Sequence, residues 1–142
     1  YVAYEGIVEA DRWFGPVFTN LRLTRTDTRV VASRWLAAAI PAGAAVAAES
    51  STPQLPGRRV LALELPGPGR PFDSDRDLAR LRAKGIEYVV VSGAVADRVL
   101  RARDRYPREA RLYDDLARSG PPVYELRPGG GLGGPWLRVY RL

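Results

Sequence analysis

The stretch "RRVLALELPGPGRPFDSDRDLARLRAKGIEYVVVSG", Arg58–Gly93, decides the fold. "RRVLALEL" reads as a strand near 59–65, and "PGPGRPF" is a Pro- and Gly-rich loop. "SDRDLARLRAKG" reads as a short helix, with Ser74 as its cap, Asp77 three residues on and Gly85 as its stop. "IEYVVVSG" is a continuous β-branched run, the pattern of a strand buried on both faces. Strand, helix and strand in this order predict a parallel βαβ crossover.

The same grammar extends upstream. "DTRVVASRWLAAAIPAGAAVAAES" (Asp27–Ser50) predicts a helix capped by Thr26 or Asp27. Its core side should carry Val31, Trp35, Ala38 and Ala39. "IPAG" ends the helix, and a strand near 44–49 follows. "SSTPQLPG" is a polar loop. Downstream, a helix over 94–105 should bury Val95, Val99 and Ala102. Pro107 opens a second helix with Leu112, Tyr113, Leu116 and Ala117 on its apolar face and Gly120 at its stop. "PVYELRP" and "PWLRVYRL", joined by "GGGLGG", predict a terminal antiparallel hairpin. The expected fold is therefore α/β and three-layered. A mixed, mostly parallel sheet of about five strands should carry helices on both faces, with the C-terminal hairpin at one edge.

Residues 26–142 form the α/β unit in this reading, and residues 1–25 a separate aromatic-rich segment or linker. That segment holds Tyr1, Tyr4, Trp13, Phe14 and Phe18. It fits an edge element packed on the core, or a stretch at a membrane surface, where Trp and Tyr concentrate. The chain begins at Tyr1 and contains no Met, so it is expected to be a fragment or a processed product. No stretch resembles a signal peptide. The longest apolar run, Leu36–Ala48, is shorter than the roughly 20 residues a membrane helix needs, and Pro41 and Gly43 interrupt it.

At 142 residues the chain is one domain by length. Cys and His are both absent. Disulfides, thiolate nucleophiles, Cys-type zinc sites and His general bases are thereby excluded. Ser92 lies in "VSGAV", outside the G-x-S-x-G pattern, and no His exists to activate it, which excludes a serine hydrolase. The acidic groups Asp73/Asp75/Asp77 and Asp114/Asp115 lack the ligand pattern of a calcium loop, so no metal is expected. No cofactor is expected either. "GGGLGG" is followed by a strand, whereas a phosphate loop feeds a helix, so it reads as a plain hairpin loop.

The net charge is +6, carried almost wholly by Arg, since Lys84 is the only Lys. That usage points to a GC-rich genome, and a basic surface can also meet phosphates, nucleic acid or anionic lipid. Ligands of open parallel sheets bind outside the carboxyl ends of the strands, which makes Glu49, Ser50, Ser92 and Arg98 the pocket candidates. Arg98, Arg101 and Arg105 form a helical stripe. It fits a solvated face, interleaved with Asp97, Asp104 and Glu109, or a contact with anionic lipid or a lipid-linked substrate.

Three stretches carry a family likeness: Asp27–Ser50, "GIEYVVVSG", and the closing pair "DRYPREARLYDDL" and "VYELRPGGGLGGPWLRVYRL". Together, over roughly 26–142, they resemble the C-terminal soluble region of bacterial multi-spanning glycosyltransferases. These are related to protein O-mannosyltransferases and the aminoarabinose transferase. The chain departs from that pattern at Ser92-Gly93-Ala94, where a Ser pair and a Tyr are expected.

The resemblance implies a polyprenyl- or dolichyl-phosphate sugar as donor and a place on the extracytoplasmic face of the bacterial cell membrane. It implies that the catalytic acid lies in a membrane part outside this chain, so no catalytic residue carries over. The implied partners are the rest of the parent protein and anionic lipid or lipid-linked sugar. The rival expectations are a stand-alone phosphate- or nucleotide-binding module and, last, a nucleic-acid binder.

Overall fold

The structure is a computed structural model, and it describes residues 26–142. The aromatic-rich stretch 1–25 lies outside the described residues. The elements run β1 (Thr26–Asp27), α1 (Thr28–Ala39), β2 (Ala45–Glu49), β3 (Arg59–Leu63), α2 (Leu78–Ala83) and β4 (Tyr88–Ser92). Then come α3 (Gly93–Arg101), α4 (Pro107–Ser119), β5 (Tyr124–Leu126), β6 (Leu132–Gly133) and β7 (Leu137–Arg141).

The main sheet has five strands in the order β3-β2-β4-β7-β5. β2 pairs in parallel with both β3 and β4, while β7 runs antiparallel to β4 and to β5. The expected mixed, mostly parallel sheet is matched in part: four of the five strands run one way, but the reversed β7 between β4 and β5 makes two of the four pairings antiparallel. The expected antiparallel pair does close the chain at one edge, with β5 outermost. Its connection, however, is no plain hairpin loop. The glycine stretch contributes β6, which pairs in parallel with β1 through Thr26↔Leu132 and Asp27↔Gly133.

Alternation along the central strands sorts the core into two halves. Val46, Ala48, Tyr88 and Val90 face α1, where Ala32, Leu36 and Ile40 meet them. Ala45, Ala47, Val89 and Val91 face α2, α3 and α4, where Leu81, Val99, Leu112 and Leu116 meet them. This period-2 division of apolar residues, with both faces covered, is why β2 and β4 are buried along their whole lengths.

Several local expectations shift. In α1 the buried stripe is Thr28, Ala32 and Leu36, not the one through Val31, Trp35, Ala38 and Ala39. Small Ala32 lets the helix sit close on the sheet, and Trp35 instead stacks on Tyr124 of β5 with ring centroids 4.4 Å apart. Asp77, not Ser74, caps α2, accepting from the Arg80 N–H at 2.8 Å. Asp73 organises the preceding turn, accepting from Asp75 N and Glu64 N, each at 3.0 Å. α3 ends at Arg101 rather than 105, so the basic stripe breaks. In α4, Leu112, Tyr113 and Leu116 are buried as expected, while Ala117 is exposed.

The two parallel crossovers, β2 to β3 and β3 to β4, run in opposite directions across the sheet. The coil 50–58 leads to β3 on one side, and its Leu55 packs in the α1 half of the core. The return to β4, on the other side of β2, passes through α2 in the opposite half. The order of the strands therefore reverses between β2 and β4. In an open sheet, that reversal opens a crevice at the carboxyl ends of those strands.

Candidate functional site

Glu49 ends β2, and alternation places it on the same face as Ala45 and Ala47, toward α4. Its side chain is fully buried, as is that of Arg76, whose Nη2 lies 2.9 Å from Glu49 Oε2. Tyr113, from α4, donates its hydroxyl to the same carboxylate oxygen. The other oxygen, Oε1, accepts the Ser92 backbone N–H at 3.0 Å. Arg76 also donates from Nε to the Glu64 carbonyl at 2.6 Å and from Nη1 to the Tyr113 oxygen at 3.3 Å. A carboxylate, a guanidinium and a phenol thus join the ends of β2, β3 and β4, the turn before α2, and α4.

Burial pushes the Glu49 carboxyl upward, against the pull of Arg76, the Tyr113 hydroxyl and the Ser92 N–H. Burial works to lower Arg76, but the Glu49 charge and the Tyr113 oxygen leave it above the ordinary arginine value. Burial, followed by the neighbouring Glu49 charge, raises Tyr113, so it stays a neutral donor. A buried pair of this kind survives only when its remaining polar atoms are satisfied. Here Glu49 meets that condition at both oxygens, whereas Arg76 Nη2 makes no hydrogen bond.

Ser92 also starts α3, its Oγ accepting the Ala94 N–H at 3.2 Å. The Gly93 N–H donates to the Trp136 carbonyl at 2.8 Å. A Cβ on Gly93 would lie 2.6 Å from the Trp136 ring, so only glycine lets α3 begin here.

Outside this closed centre lies a cleft of about 190 Å³ lined by Ser50, Ser51, Arg70, Arg76, Ala94 and Arg98, among others. A wider groove of about 460 Å³ runs between the coil after β2 and the outer strand β3. Ser51 stands at the meeting of both, with φ of +61°, in the left-handed region that a non-glycine residue rarely adopts.

The residues expected at the site therefore divide. Glu49 and Ser92 come together but are sealed beneath the surface. Ser50 and Arg98 reach the cleft. Arg101 turns away, its Nε donating to the Asp97 carbonyl at 3.1 Å, and Arg105 is exposed beyond the end of α3. Arg70, Arg76, Tyr113 and Ser51 complete the arrangement, and the sequence reading did not anticipate them. Arg76 sits among acids that read as a helix start, and Tyr113 lies on a stripe that reads as ordinary core. Only the serine pair "SS" just past a strand end offered a signal for Ser51.

Compared with protein-family models, curated proteins and solved structures, the chain matches none.

Proposed function

We propose that this chain is an accessory, non-catalytic α/β domain of a membrane glycosyltransferase that takes its sugar from a lipid-phosphate carrier. The domain stands on the extracytoplasmic face and positions acceptor, donor headgroup or the rest of the parent protein. One observation carries the non-catalytic part. Glu49, the acid at the strand ends where an open sheet places its chemistry, is fully buried and held at both oxygens by Arg76, Tyr113 and Ser92. A general base must reach the proton that it abstracts, and this carboxylate faces inward. The parent enzyme is argued from the resemblance over 26–142. No described helix is long and apolar enough to cross a membrane, so in this reading the membrane part belongs to sequence outside the described residues.

The test has two arms. The reading frame upstream of Tyr1 should encode a series of hydrophobic spans; a start codon directly before Tyr1 would remove the proposal. The chain alone, incubated with a polyprenyl-phosphate sugar and an acceptor, should give no transfer. Transfer that Glu49→Gln abolishes while the fold persists would make the domain itself the enzyme.

A second reading, a free-standing phosphate- or nucleotide-binding module, is favoured by the arginine-lined cleft at the strand reversal. It predicts that a nucleotide raises Tm saturably by mass action.

A further inference from the structure

We propose that the cleft outside β2 and β4 is a binding site for a single phosphoryl group, held by Arg70 and Arg98 with the Ser50–Ser51 hydroxyls. The proposal deepens the reading above by naming what the cleft takes, but its argument needs no membrane portion.

Position comes first. The cleft lies where the strand order reverses, beside the start of the nine-residue helix α3, whose Ala94 is exposed on its wall. The dipole of the helix favours an anion there, while its first two N–H groups already serve the Trp136 carbonyl and the Ser92 hydroxyl. Arg98, one turn along the same helix, is exposed and has no ion-pair partner among the described residues. Arg70 faces it from the loop after β3. Its partner there is Glu64 at 3.3 Å, and both side chains are more than half exposed, at 58% and 54%. Such a rim pair is weak, and an incoming anion can displace it.

Charge points the same way. Arg76 lies behind the cleft, its side chain fully buried and its Nη2 2.9 Å from Glu49 Oε2, so that pair is sealed and neutral overall. On the open side two guanidinium groups, Arg70 and Arg98, meet one carboxylate, Glu64, which leaves the cleft net positive. The guanidinium fork matches the oxygens of a phosphate, and Ser50 and Ser51 add hydroxyl donors on the open side.

Size narrows the ligand. At about 190 Å³ the cleft is smaller than the roughly 300 Å³ at which small-molecule pockets begin. It encloses a phosphoryl group and the first atoms of its substituent, and the rest of a larger ligand would lie outside it. Free phosphate and the headgroup of a phospholipid monoester share this chemistry.

The test follows backbone and arginine Nε resonances of the chain in two titrations. One uses inorganic phosphate at constant ionic strength. The other uses phosphatidylcholine vesicles with or without phosphatidic acid. Saturable shifts at Ser51, Ala94 and Arg98 are expected in at least one titration. Arg98→Gln and Arg70→Gln should each weaken binding about tenfold or more, the loss of one charge-assisted contact. Arg105→Gln, off the cleft, should leave it unchanged. Both substituted arginines are exposed, so an unchanged Tm will show that the fold is intact. Response to phosphate assigns a free anion, and response to phosphatidic acid vesicles alone assigns a headgroup.

Absence of saturable shifts in both titrations, or an equal loss with Arg105→Gln, overturns the proposal. Failure here leaves the transferase reading standing. Binding by a chain whose reading frame begins at Tyr1 would remove that reading and keep the site.

Discussion

At residue scale, two carboxylates show how burial changes the role of one group. Glu49 is sealed with Arg76, and removing either partner strands a charge in the core. Arg76→Met should destabilise the domain by about 3–5 kcal/mol, measured by urea unfolding. The pair Glu49→Leu and Arg76→Met together should cost clearly less than the sum of the single changes, because no unpaired charge remains. Additive costs would show that the two groups do not act as a pair.

Asp27 works at the surface. Its carboxylate caps α1, accepting from the Arg29 N–H at 2.8 Å, and pairs with the Arg29 guanidinium, also at 2.8 Å. Those bonds hold its pKa below the ordinary aspartate value. A lowered native pKa means that its stabilisation is present above the unfolded value of about 3.9 and fades as pH falls through the native one. Asp27→Ala should therefore cost about 1 kcal/mol at neutral pH. The gap in Tm between variant and parent should narrow steadily below about pH 4. A gap that stays constant down to strong acid would place the effect elsewhere.

At element scale, the rotation of α1 is the instructive departure. Two stripes of this helix satisfy the same i, i+4 spacing, one through Val31 and Trp35 and one through Thr28, Ala32 and Leu36. Periodicity alone cannot choose between them. The choice falls to tertiary contacts: close approach favours the small Ala32, and β5 presents Tyr124 at the right height for Trp35. That stack pins the short edge strand to the helix. A double-mutant cycle of Trp35→Ala and Tyr124→Ala should return a coupling of about 1 kcal/mol, while a value near zero would mean that the rings merely lie side by side.

The glycine run is a second case. Its residues read as a flexible connection, yet Leu132–Gly133 form a strand with Thr26–Asp27. A Cβ on Gly134 would lie 2.6 Å from the Asp27 carboxylate, a constraint set by a residue more than 100 positions away.

At the scale of the whole molecule, β2 and β4 form the spine. Both are buried at every position, both have neighbours on each side, and each is covered by helices on both faces. β5 lies at an edge and is partly exposed, and β6 belongs to the small sheet. The amides of Ala47 and Val89 should exchange only through global unfolding, and those of β5 and β6 through cheaper local openings. Hydrogen exchange followed with rising denaturant tests this order, and earlier exchange in β4 than in β5 would contradict it.

The α/β class, the buried β4, the Gly85 stop and the Pro107 start were all legible in the chain. Each depends on residues close in sequence: β-branched runs, breakers and helix-start signals act over a turn or two. The rotation of α1, the place of the one reversed strand β7 between β4 and β5, and the union of Glu49, Arg76 and Tyr113 were decided only by tertiary structure. Those three residues stand far apart along the chain, and the energy that unites them, the cost of leaving a charge unpaired in the interior, exists only once the core has closed around them.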